Sequence, residues 1–217
     1  MAENNTLKSR VYNYLVTHIA AGDLSAGHKI SEEALCQELG VSRTPVREAL
    51  ITLACEDILI NYPHKGFVLK PLTDEEVEEL YQIIGILDGM AAKLSCGKIS
   101  DAVLKEMEFY TLSMDLAINT GNYDMYYKLQ ETFHGSYMNV CPNRTLVDML
   151  LKAKRKLLKR SYDIQDPEQK KQILLITNDQ HKHMLQLFRE NEAEKLERFV
   201  RDVHWMPEKA AWEAFHK

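Results

Sequence analysis

The 217-residue sequence predicts a mostly α fold, an N-terminal winged helix-turn-helix followed by an all-α bundle of six to seven helices. Three observations predict it. A short amphipathic segment, Ser31–Leu39, meets Gly40 and gives way to Val41-Ser-Arg-Thr-Pro-Val-Arg-Glu-Ala-Leu50. Two β-prone runs, Ile58–Tyr62 and Phe67–Leu69, flank the turn Pro63-His-Lys-Gly66. From Thr73 to the end, helical periodicity continues with no convincing strand.

The first helix is marked by Leu7, Val11, Leu15 and Ile19 at helical spacing, and it closes on Gly22-Asp-Leu24. Ala26–Ile30 has room only for a turn and a very short strand. Ser31–Leu39 is a positioning helix and Gly40 a tight turn. Ser42 or Thr44 can cap the helix that follows, and Pro45 suits its first turn. That helix carries Arg43 and Arg47 four residues apart, so both guanidiniums share one face. A guanidinium fork matches the O6 and N7 acceptors of guanine in the major groove. The two β-prone runs then read as a two-stranded wing.

Beyond the wing, Thr73-Asp-Glu-Glu76 looks like a capping box. Candidate helices follow near 74–95, 100–120, 122–140, 144–162, 167–190, 192–204 and 207–216, with breaks at Gly97, Gly121, Cys141-Pro-Asn143, Asp166-Pro167 and Asn191. The domains are accordingly expected at 1–72, a DNA-binding winged helix-turn-helix, and 73–217, all-helical. A bundle of this size has room for a ligand cavity.

Charge excludes a nonspecific nucleic-acid coat protein, because the formal net charge is −5 and residues 1–70 hold 7 Lys and Arg against 8 Asp and Glu. DNA affinity must come from local placement of Lys29, Arg43, Arg47, Lys65 and Lys70, with Glu32, Glu33 and Glu38 turned away. Weak affinity per domain implies two domains acting together. Four scattered cysteines, no export-signal pattern and no apolar run of about 18 residues lead to the expectation of a cytoplasmic protein without a membrane span, its thiols reduced and mostly buried.

Ser42-Arg-Thr-Pro-Val-Arg-Glu-Ala-Leu50, uninterrupted and followed by the wing glycine Gly66, resembles the signature of the bacterial GntR family of transcription regulators. The resemblance implies a DNA-binding set of Lys29, Ser42, Arg43, Thr44, Arg47, His64, Lys65 and Gly66. Leu72–Tyr81, Phe133-His134, the break before Asn143 and His181 make the remainder similar to the subgroup named after the fatty-acid regulator FadR. That subgroup has a helical domain that dimerises, binds an effector and in many members holds a divalent metal through an Asp, a His four residues on, and two later His.

Several positions depart from that pattern. Gln130 stands four residues before His134 where the family has Asp, and a neutral amide is the poorer metal ligand. Ile84 stands where many members have an Arg ahead of the acidic residue, here Asp88. Gln180 replaces a Glu, and the last His is His204, one residue past Val203, where an ungapped count puts it; a shift at the Asn191-Glu192 turn could restore it. The metal set is thus His134, His181 and His204, suited to zinc or nickel, weak or absent for want of the acidic ligand. The bland alternative is satisfied or surface histidines in a chain that has eight. The pocket set is Ile84, Asp88, Tyr127, Gln130 and Arg155, with Arg155 or Arg160 replacing the missing Arg. The basic run Lys152–Arg160 is otherwise a solvated helix face. Removal of both charges favours a larger, neutral or partly apolar effector.

The function expected is a ligand-responsive, homodimeric regulator, a repressor released by a small metabolite, reading an inverted-repeat operator in double-stranded DNA. The competing readings are a metal-dependent enzyme built on the three histidines and an architectural DNA-binding protein without an effector. A cavity and a binding response separate the first from the last.

Overall fold

The computed structural model describes residues 6–20, 23–157 and 166–207. These residues cluster into two compact units, Met1–Thr73 with Arg155–Tyr162, and Asp74–Lys154 with Asp163–Lys217.

In the first unit, α1 (Leu7–Ala20), α2 (Glu32–Leu39) and α3 (Arg43–Cys55) precede the antiparallel strands β1 (Leu59–Tyr62) and β2 (Gly66–Leu69). Val11, Leu15, Leu35, Val46, Leu50, Leu53 and Phe67 are fully buried and form its core. The helical spacing of Val46, Leu50 and Leu53 turns the opposite face of α3, with Arg43 and Arg47, to solvent. Ser31 caps α2 by accepting a hydrogen bond from the Ala34 N–H, and Gly40 ends it at φ 65°, in the left-handed region that Gly enters without steric cost. Ser42 holds the N-cap position of α3 in extended geometry, and its hydroxyl makes no capping bond.

The wing turn is closed by the Lys65 N–H on the Tyr62 carbonyl, with Pro63 and then His64 at φ 61° in the central positions. This is the backbone pattern of a type II turn. The short strand expected before Ser31 is a single bridge, Lys29 to Val68.

The second unit holds α4 (Asp74–Ser95), α5 (Asp101–Asn119), α6 (Tyr123–Met138), α7 (Arg144–Lys156) as far as Lys154, α8 (Pro167–Arg189) and α9 (Ala193–Phe199). α5 packs on α6 and α8, and α4 packs on α9. Asp166 caps α8 through the Glu168 and Gln169 N–H groups, with Pro167 at its first position. The α4–α9 approach is close because Gly85 and Gly89 lack side chains. A Cβ at Gly89 would lie 2.8 Å from the Glu197 carbonyl oxygen, and one at Gly85 would lie 3.1 Å from that of Arg201.

Three features differ from the sequence expectations. The 144–162 helix ends at Lys156, with 158–165 outside the described residues; the terminal helix near 207–216 also falls outside them from 208 onward. The 192–204 helix does not keep one winding, because α9 is followed by a π-helical turn, Val200–His204. Of the cysteines only Cys141 is buried; Cys36 and Cys96 are half-buried and Cys55 is exposed, and all four are free. No helix among the described residues is long and apolar enough to cross a membrane.

Candidate DNA-reading face and buried imidazole centre

On the first unit, Ser42, Arg43, Thr44 and Arg47 are exposed along the start of α3, and Lys29, His64 and Lys65 are exposed at the wing. Gly66, at φ 89°, takes the left-handed backbone with which the chain leaves the wing turn. Arg47 also rests its guanidinium over Phe67, 5.9 Å from the ring centre. Two side chains depart from the placement that charge reasoning requires. Lys70 is bound to Asp57 at 2.7 Å, and Glu32 is not turned away. Its carboxylate takes the Arg43 Nε at 2.8 Å on one oxygen and the Arg47 Nη1 at 2.9 Å on the other.

In the second unit three imidazoles converge. His134 lies on the inward face of α6 beside Phe133 and Tyr137, His181 on that of α8 beside Met184 and Leu185, and His204 ends the π turn. All three are buried. His134 Nε2 lies 3.2 Å from His181 Nε2 and 3.3 Å from His204 Nε2. Nitrogens 2.0–2.1 Å from a tetrahedral zinc sit roughly 3.3 Å apart, which these two separations match, and all three donor atoms lie within 4.8 Å of one another.

The partners of the other ring nitrogens support the same reading. Tyr137 donates its hydroxyl hydrogen to Asp88 Oδ1 at 2.5 Å, which leaves its oxygen to accept from His134 Nδ1–H at 2.6 Å. His204 Nδ1 faces the Gln180 Oε1 acceptor at 3.1 Å. In both rings the proton sits on Nδ1 and the Nε2 lone pair points inward, which is the tautomer a metal needs. Gln180 thus orients the His204 ring with its amide oxygen. His181 Nδ1 and Asn178 Oδ1, one turn apart on α8, are buried without a hydrogen-bond partner among the described residues.

Electrostatics keep His134 and His181 neutral. Burial, then the neighbouring His204 and His134, hold His181 well below its ordinary value of 6.5. Burial, then the Lys154 ammonium, lower His134 despite the Asp88 carboxylate beside it. The His134–Asp88 approach of 3.4 Å is therefore a dipolar contact and not an ion pair. For Asp88 itself, burial pushes upward, but Lys154, His134 and Tyr137 outweigh it and hold the carboxyl well below the usual range. Burial and the Asp88 charge drive Tyr137 well above its ordinary value, so it remains a donor.

The cation of this centre is Lys154, 3.0 Å from Asp88 Oδ2 and 5.0 Å over the Trp205 ring. Arg155, expected in that role, groups with the first unit, and Arg160 lies outside the described residues. Ile84 is buried on α4 one turn before Asp88, so the missing Arg is replaced from another helix. Gln130 and Tyr127 are half-buried on α6, and Tyr127 stands edge-on to Tyr126.

Reasoning from sequence missed Lys154, Trp205 and the role of Glu32. One signal pointed to Lys154: it continues the stripe of Val147 and Leu150 that α7 buries, where a solvated charge does not belong. The one-residue offset of His204 coincides with the π turn, Val200–His204. One extra residue within the turn returns the next side chain to the inward face.

Comparison with known proteins matches the same two parts. Residues 7–69 match the model of the bacterial regulatory proteins of the gntR family, and residues 79–203 match that of the FCD domain. An HTH-type transcriptional regulator of Bacillus subtilis (strain 168), YdhC, is 31% identical over 140 residues, 64% of this chain and 62% of that protein. The chain thus spans less than two thirds of that relative's length. The Nta operon transcriptional regulator of Aminobacter aminovorans is 28% identical over 80% of both chains. The solved structure of E. coli McbR/YncC has the same fold, with a TM-score of 0.80 at 19% identity over 96% of this chain and 97% of that one. The curated relatives are regulators of transcription, which sets the enzyme reading aside. The chain belongs to the gntR family of bacterial regulatory proteins, with an FCD domain behind its winged helix-turn-helix.

Proposed function

We propose that the protein is a metabolite-responsive transcription repressor that acts as a homodimer on an inverted-repeat operator and holds a divalent ion in its helical domain. The observation that carries the DNA reading is the exposed pair Arg43 and Arg47 at the start of α3, beside a wing bearing Lys65. The helix N-terminus and the free Ser42 hydroxyl suit phosphate, and the arginines suit guanine. Selection of duplexes from a random library by the full-length protein tests this. The account expects a two-fold symmetric site containing guanines, and Arg47→Ala should cost on the order of 1–3 kcal/mol on it. Recovery of no preferred sequence would remove the proposal.

Dimerisation through residues 73–217 is supported by Phe109, Leu112 and Leu116, 61 to 66% exposed on one face of α5. Apolar groups so placed are suited to cover by the same face of a second copy. Leu112→Glu should halve the mass seen by light scattering, and a monomeric wild type at micromolar concentration would contradict the dimer.

His134, His181 and His204 would hold the ion, zinc or nickel, without a fourth protein ligand, so Gln130 need not serve. A divalent ion there would supply an open coordination position for a donor atom of the effector. Asp88 and Tyr137 hold the His134 tautomer, and Gln180 holds that of His204. Asn178 Oδ1 gives the effector an acceptor to meet, which favours a ligand with a hydrogen-bond donor over a wholly apolar one. The protein is expected to be cytoplasmic, as its task requires.

A further inference from the structure

We propose that Glu32 is a specificity-determining residue, the positioning group that sets Arg43 and Arg47 for base reading and penalises DNA that offers them no guanine. This rests on the reading of α3 as the DNA-contacting helix.

The geometry is specific. Glu32 opens α2, whose start is fixed by the Ser31 cap, and its side chain is only 10% exposed although both of its partners are largely in solvent. One carboxylate oxygen holds Arg43 through Nε and the other holds Arg47 through Nη1. Arg43 therefore keeps both terminal nitrogens free, an end-on fork for O6 and N7. Arg47 keeps Nε and Nη2 for a side-on fork. The two arginines thus present different edges from one anchor.

Exposed ion pairs add little stability, so thermal stability is not what this arrangement serves. A free Arg side chain loses rotamer entropy when it is ordered, and an anchor removes part of that cost before DNA arrives. The second effect is repulsive. A carboxylate among the DNA-facing groups opposes phosphate, and its one negative charge offsets one of the two guanidinium charges in purely electrostatic attraction. The charge balance of residues 1–70 points the same way, toward a domain that binds poorly except where bases reward the arginines.

The test compares full-length wild type, Glu32→Gln, Glu32→Asp and Arg47→Ala on a duplex selected by the wild type and on its scrambled counterpart, by fluorescence anisotropy across a salt series. Glu32→Gln should bind scrambled DNA more tightly, steepen its salt dependence by about one phosphate contact, and lower the selected-to-scrambled ratio about tenfold. Glu32→Asp keeps the charge but is too short to reach both arginines. It should lower the ratio without changing the salt slope, a pattern that mere destabilisation does not produce. Thermal unfolding should be within about 2 °C of wild type for both. A ratio within twofold of wild type in both Glu32 variants, with Arg47→Ala relaxed, overturns the role of Glu32 alone. An unchanged ratio in Arg47→Ala overturns the reading of α3 on which it rests.

Discussion

Lys154 on α7 places its ammonium 3.0 Å from the carboxylate of Asp88 on α4, and Asp88 is wholly buried. Tyr137 and Trp205 donate to the same carboxylate, at 2.5 and 2.8 Å. The charge is therefore satisfied on every side, and through Tyr137 it also fixes the orientation of His134.

Removing one member of such a pair strands the other. Lys154→Met should destabilise the protein by about 3 kcal/mol, since breaking a buried pair leaves an uncompensated charge. Lys154→Met with Asp88→Asn should recover part of that loss. Urea unfolding of the two variants measures both. Equal stability of Lys154→Met and wild type would mean that water, not Lys154, balances Asp88.

The buried imidazoles predict a pH dependence of the metal-free protein, prepared with chelator. Folded-state values of His181 and His134 lie below the ordinary 6.5, so under acid conditions the unfolded chain takes up protons that the folded one refuses. Stability from this source is complete above pH 6.5 and is lost as pH falls from 6.5 toward the folded values. The slope approaches about 1.4 kcal/mol per pH unit for each ring. Urea midpoints measured between pH 8 and 5.5 should fall only in the lower half, and less in His181→Leu.

The π turn predicts the effect of a deletion. Val203 is 40% exposed, so its removal takes little from the core. Deleting it should let Val200–His204 wind as ordinary α-helix and swing the imidazole about 100° off the centre. Helix content by circular dichroism should be kept while metal binding is lost. Retained metal would show that the chain recovers the register elsewhere.

Much of this was legible in the sequence, and the remainder was hidden for definable reasons. Arg43, Arg47 and the wing follow from local grammar, because turn residues and helical spacing fix them without reference to distant parts. The three histidines could be named, but their convergence depends on how α6, α8 and the π turn meet. Lys154 was hidden among five other basic residues within 152–160, and only its place on the buried stripe distinguishes it. Gly85 and Gly89, four apart on α4, record the close approach of α9, yet a glycine pair alone does not say what approaches. The charge count suggested that Glu32 should avoid the arginines; it ignored that a carboxylate can orient a guanidinium as well as neutralise it.

The claim on which the sensing account depends is that three imidazoles suffice for a metal site without an acidic ligand. Elemental analysis of full-length protein, purified without chelator and desalted, tests it most directly beside His181→Ala prepared in parallel. The account predicts close to one zinc or nickel per wild-type chain and less than about a tenth of that in the variant, since losing one of three ligands leaves two imidazoles, too few to retain the ion through desalting. Wild type without metal, or the variant with as much as wild type, would contradict it.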